Sequence, residues 1–249
     1  MLYFIGLGLY GLEDITIKGL SVIHSSDHIF LETYTSILTG TTIHEMESFY
    51  NKKIIPCSRE DIENNPEPIL SLAENNNVAF LVPGDSMIST THSDLRIRAE
   101  KRGIVTKIIH NASIATAVCG LTGLQNYRFG RSCSLPFPYK DWRPVSPADV
   151  IIENQLSSLH TLVYLDIQPS RYMTINEAVI ELEKIFCARK VVIKLYIGIA
   201  RAGSDTSHVY SGKPSRVINH DFGGPLHILV VPGSLHPVEE EYLALFAGP

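Results

Sequence analysis

At 249 residues the chain is long enough to bury a sizeable core as one or two domains. Hydrophobic content of 45% with 19% charged residues excludes the disordered class, and no apolar run approaches the roughly 18 residues that a membrane-spanning helix needs. A net charge of −5 argues against general affinity for nucleic acid or anionic lipid. Four cysteines without a C-x-x-C pair or zinc spacing predict reduced thiols in the cytoplasm, as does the lack of an amino-terminal signal pattern.

The first apolar run, Leu2 to Ile5, predicts a buried strand. Gly6, Gly8 and Gly11 follow in G-x-G-x-x-G spacing, which lets backbone turn sharply and approach a ligand. The next helix is expected from Asp14, as N-cap, to about Ser25. A second strand is predicted over Ile29 to Glu32 and a helix over 43–50. A short strand follows at Lys53 to Pro56, then a helix opened by Ser58, and the clearest strand at Val78 to Val82. Pro83-Gly84-Asp85 ends that strand at the sheet edge where the glycine loop lies if the sheet is parallel. A helix over 91–102 closed by Gly103, a strand over Ile104 to His110 and a small-residue helix from Ala115 to Leu121 complete the first half.

Periodicity lapses around Gly120 to Gly130, and a proline-aromatic loop follows at 135–144. Ser146-Pro147 opens a helix over 147–158. A strand is expected at Thr161 to Ile167, and Thr174-Ile175-Asn176-Glu177 reads as a capping box for a helix over 175–187. A long strand over Val191 to Ala200, another over Leu226 to Val231 and an amphipathic helix over 237–246 complete the chain. The alternation predicts an α/β protein with an amino-terminal domain over 1–115 and a carboxy-terminal domain over 116–249.

Two ligand classes compete for the glycine loop. A nicotinamide dinucleotide is favoured by the spacing and by Glu32, an acid about 20 residues on. Against it, Glu13 and Asp14 would repel a diphosphate, whereas a cofactor with no phosphate or with a positive charge meets no penalty. Asp85 either meets a ligand or satisfies its own turn amides, Ser113 by itself reads as a helix cap, and His227 by itself reads as a satisfied core histidine. No HExxH, His-Cys set or dense acidic group predicts a metal.

The segment LYFIGLGLYGLEDITIKGL (2–20) resembles the start of the diphthine-synthase branch of the tetrapyrrole-methylase superfamily. LETYTS (31–36), VAFLVPGDSMISTTHSDLRIRA (78–99), IIHNASI (108–114), FGRS (129–132) and HTLVYLDI (160–167) match in the same order. So do RYMTINEA (171–178), IGIARAGS (197–204) and PLHILVVPGSLHPVEEEYL (225–243). The resemblance implies two α/β domains with S-adenosyl-L-methionine in the cleft between them. It further implies a homodimer that methylates the 3-amino-3-carboxypropyl-modified histidine of translation elongation factor 2 in diphthamide biosynthesis. The cofactor contacts it implies are Leu9, Asp85, Ile88, Ser113, Ile114, Leu165, Ala202 and His227, with no catalytic base assigned. The short stretch from Asp166 to Arg171 is similar to archaeal members, which make a trimethylated product. HNASI is similar to eukaryotic members, which add a fourth methyl. The competing functions are an NAD-dependent oxidoreductase and a non-catalytic module that binds the elongation factor.

Overall fold

The computed structural model describes residues 1–140 and 142–248. The chain divides into two compact units, Met1–Ile114 and Ala115–Pro249.

In the first unit the elements run β1 (Leu2–Gly6), α1 (Ile17–Ser25), β2 (His28–Glu32), α2 (Ile43–Tyr50) and β3 (Ile55–Cys57). They continue with α3 (Glu67–Asn75), β4 (Val78–Val82), α4 (His92–Lys101) and β5 (Thr106–Ile109). The five strands form a parallel sheet in the order β3-β2-β4-β1-β5. Each parallel crossover carries the chain back over a sheet face, so both faces are covered. Leu2, Phe4, Val78, Phe80 and Val82 pack on one face, and Ile5, Ala79 and Leu81 on the other. That period of two explains why Val78 to Val82 reads as an unbroken apolar run. Phe4 and Phe80 meet edge to face at 5.8 Å, a favoured aromatic geometry.

The second unit contains α5 (Ile114–Thr122), which begins at the junction, then β6 (Cys133–Leu135), α6 (Ser146–Leu156) and β7 (Thr161–Leu165). The hairpin β8 (Ile167–Gln168) and β9 (Arg171–Tyr172) follows, with α7 (Ile175–Ala188), β10 (Tyr196–Ala200) and β11 (His208–Gly212). The last elements are α8 (Pro214–Asn219), β12 (His227–Val231) and α9 (Pro237–Phe246). Its main sheet has the order β11-β10-β12-β7-β6 and is antiparallel except for β6 beside β7. One face is filled by the apolar side of α7, where Val179, Leu182 and Phe186 are fully buried.

Several boundaries differ from the sequence-based expectation. Thr16, not Asp14, caps α1, accepting from Gly19 N at 3.0 Å. Ser58 opens only a five-residue π-helical turn at Glu60–Asn64. The long strand expected from Val191 is confined to Tyr196–Ala200, because Lys190 turns left-handed (φ 56°) and Val192 faces solvent. The strand expected to run through Ile167 breaks at Asp166, whose carboxylate accepts from Phe137 N at 2.9 Å. Strand β11 and helix α8 have no counterpart in the sequence reading.

Candidate functional site

The register that aligns Gly6 with Val82 starts two loops at the same level of the first sheet. They join at once: Gly8 N donates to Gly84 O at 3.2 Å and Gly84 N donates to Gly8 O at 2.7 Å. A Cβ on Gly6 would lie 2.6 Å from Gly84 O, and one on Gly8, where φ is +89°, 2.4 Å from the Asp14 Cβ. These two glycines are therefore required by close approach and backbone conformation.

Asp85, 5% exposed, ties in the third loop. Its Oδ1 accepts from Met87 N at 2.9 Å. Its Oδ2 accepts from Asn111 N at 3.1 Å and lies 2.8 Å from His110 Nδ1. Asn111 in turn donates from Nδ2 to Gly6 O at 3.0 Å and to Asp14 O at 2.9 Å. Asn111 thus links the ends of β1 and β5 and the turn at Asp14, a role absent from the sequence reading. Its position in HNASI was the only signal available.

Leu9, Asp85, Ile88, Ser113 and Ile114 accordingly lie on three loops joined by these bonds at one end of the parallel sheet. Leu9 and Ile114 are half-buried, Ser113 is buried, and Ile88 is 43% exposed. Open ends of parallel strands are where α/β proteins bind ligands.

Both anchors of the dinucleotide reading are used internally. Asp14 Oδ2 accepts from Tyr10 N at 2.6 Å and Gly11 N at 3.1 Å, so a carboxylate already occupies the loop amides that a pyrophosphate would need. Glu32, 1% exposed, accepts from Tyr34 N at 2.7 Å, from the Thr35 amide and from Thr35 Oγ1 at 2.6 Å. It is not available to a ribose. Asp14 and Asp85 are likewise bonded to backbone amides, and Ile88 beside them is exposed.

In the second unit, Leu165 ends β7, Ala202 follows β10 and His227 begins β12. Ala200 pairs with His227 across β10 and β12. The register of Leu229 with Val163, carried two residues on, sets Leu165 opposite His227. The three lie at one end of the sheet. His227 is half-buried: Ile175 N donates to its Nδ1 at 3.2 Å and its Nε2 lies 3.0 Å from Gly224 O. Since an amide donates to Nδ1, the proton sits on Nε2 and is given to Gly224 O. Burial holds its pKa below the usual value, so the ring is neutral. Arg201, left-handed at φ 52°, organises the neighbouring loops by donating to Phe222 O at 2.5 Å, Gly224 O at 2.9 Å and Thr206 O at 2.9 Å. Sequence reading did not single it out. Among the described residues no group of three or more His, Cys, Asp or Glu could hold a metal ion, and no helix is long and apolar enough to cross a membrane.

A parallel α/β unit with a phosphate-excluding glycine loop, followed by a largely antiparallel unit, defines a class. The profile of the Tetrapyrrole (Corrin/Porphyrin) Methylases matches residues 1–216, and the chain belongs to that family. It is a methyltransferase. Within the family it is 57% identical over 248 residues to the diphthine synthases of Methanoregula boonei and Methanospirillum hungatei. All of this chain and 99% and 98% of theirs are covered. A crystal structure of diphthine synthase superposes with a TM-score of 0.93 at 42% identity, covering 100% of this chain and 96% of that one.

Proposed function

We propose that the chain transfers methyl groups from S-adenosyl-L-methionine to the amine of the 3-amino-3-carboxypropyl-modified histidine of elongation factor 2, as a cytoplasmic homodimer. The observation that carries the donor assignment is the closed glycine loop: its amides at Tyr10 and Gly11 are bonded to Asp14. That loop repels diphosphate and tolerates a sulfonium.

The donor, when bound, would supply a methyl activated on sulfur, which the amine takes by in-line attack as the C–S bond breaks and the neutral thioether leaves. What the protein adds is placement and exclusion of water. Asp85, through Met87 N and Asn111 N, sets the loops that present Leu9, Ile88, Ser113 and Ile114. Within the second unit, Leu165 and Ala202 lie at the same end of the sheet as His227. His227 has both ring nitrogens engaged, so it orients rather than accepts a proton. The compact β8–β9 hairpin is similar to archaeal members, and on that resemblance three methyls are proposed, ending at a trimethylammonium; HNASI, similar to eukaryotic members, points to a fourth.

Calorimetry with S-adenosylhomocysteine and NAD tests the donor: the first binds and the second does not. Mass spectrometry of elongation factor 2 carrying the 3-amino-3-carboxypropyl group tests the reaction, with three added methyls expected. Binding of the factor without methyl gain would support a non-catalytic module and overturn the proposal.

A further inference from the structure

We propose that His92 is a positioning residue that holds Asp85 and Ile88 in their binding arrangement by locking one peptide plane. It opens α4, is completely buried, and none of the contacts assigned above includes it. Its Nδ1 lies 3.1 Å from the carbonyl oxygen of Ser86. A carbonyl only accepts, so Nδ1 carries the proton and donates it.

The N–H of the same peptide group, that of Met87, donates to Asp85 Oδ1 at 2.9 Å. The plane between Ser86 and Met87 is thus gripped at both ends, by His92 on its C=O and by Asp85 on its N–H. Rotation of that plane would release the Asp85 carboxylate from Met87 and shift Ile88, one residue on. The ring is held by edge-to-face packing with Phe80 (centroids 5.0 Å apart, planes at 89°) and Tyr34 (6.4 Å, 88°).

Packing alone does not account for a histidine here. Its Nε2 is buried with no partner among the described residues, a cost that phenylalanine in the same slot would avoid. What phenylalanine lacks is the donor for Ser86 O. The role is to position: His92 acts through the peptide and Asp85, not on the reacting atoms.

This inference rests on the methyl-donor reading above. The test compares wild type, His92→Phe and His92→Asn, whose carboxamide nitrogen can occupy the Nδ1 position. Binding of S-adenosylhomocysteine is measured by calorimetry, and amide exchange of Met87 and Ile88 is measured in the ligand-free protein. His92→Phe should lower the melting temperature by no more than one buried hydrogen bond accounts for, weaken binding about tenfold, because the freed peptide must be re-ordered when the ligand binds, and speed exchange at Met87. His92→Asn should restore both. KM for the methyl donor should rise in His92→Phe while KM for the protein substrate stays constant. Unchanged affinity and exchange in His92→Phe, or no rescue by His92→Asn, would overturn the proposal. Should His92→Phe not fold, His92→Gln, whose amide extends past the carbonyl, is expected to show the same losses. If wild type fails to bind S-adenosylhomocysteine, the donor reading falls, while exchange at Met87 still decides whether His92 locks the peptide.

Discussion

Replacing Asp85 with asparagine is the sharpest perturbation of the first unit, because shape is kept while the charge and one acceptor oxygen are lost and an NH2 donor is gained. The carboxylate takes Met87 N on Oδ1 and Asn111 N on Oδ2. A carboxamide has one oxygen, so whichever way it turns, its NH2 faces one of those N–H groups. One amide is then lost and opposed by a donor. Hydrogen bonds to a charged group contribute about 1.5–3 kcal/mol each. Asp85→Ala, which loses both, should therefore destabilise by roughly 3 kcal/mol or more, and Asp85→Asn by about 1.5–3 kcal/mol. His110 adds little to either figure, since its side chain is 70% exposed and such pairs are screened. Amide exchange of β1 and β4, read as opening free energy, measures the loss within this unit, and S-adenosylhomocysteine affinity should fall in parallel. An Asp85→Asn protein within about 0.5 kcal/mol of wild type would refute the acceptor-counting argument.

Gly6→Ala should abolish donor binding and lower the melting temperature, because its Cβ would meet Gly84 O at 2.6 Å and the Asn111 Cβ at 2.9 Å; a crystal structure of the variant with unmoved loops would contradict this. Glu239, wholly buried, accepts from Gln125 N, His236 N, Arg128 Nη1 and His160 Nε2. Glu239→Ala should cost about 3–5 kcal/mol in chemical denaturation, the penalty for orphaning a buried charge network, and a loss below about 1 kcal/mol would show the network to be relaxed. Burial lowers the pKa of His92, His160, His220 and His227 from the ordinary 6.5. Below that value the unfolded chain binds more protons than the folded one, so stability is present above about pH 6.5 and falls as pH drops. For Glu239, burial raises the pKa, but hydrogen bonds from Gln125, His236 and His160 outweigh it and leave the carboxyl below 4.5. A second loss of stability therefore follows below pH 4.5. Thermal midpoints at pH 7.5, 5.5 and 4 should decline in that order, and a midpoint at pH 5.5 equal to that at 7.5 would contradict the histidine assignment. His220, whose Nε2 lies 2.7 Å from that of His208, should contribute to the first decline.

Much of this protein was legible one residue after another. Val78 to Val82 announced the clearest strand through composition alone, Thr174 and Glu177 form the expected capping box, and Gly103 closes its helix at φ +75°. These are local signals, set by side-chain period, capping chemistry and backbone conformation within a few residues. The ordered motifs likewise carried the family, since an ordered set along one chain needs no folding to be read.

Where the polar groups spend their bonds was decided by the tertiary structure. Asp14 was expected to cap a helix and instead closes the glycine loop; Glu32 looked like a ribose ligand and is bonded to Tyr34 and Thr35. Asn111 and Arg201 organise the two sheet edges through partners up to 105 residues away, as in the bond from Asn111 to Gly6. A side chain can accept or donate only so many hydrogen bonds, and which donors reach it depends on strand register and loop closure. That geometry exists only once the sheet has formed, so sequence named the residues that bear charge while the fold determined which of them remained available to a ligand.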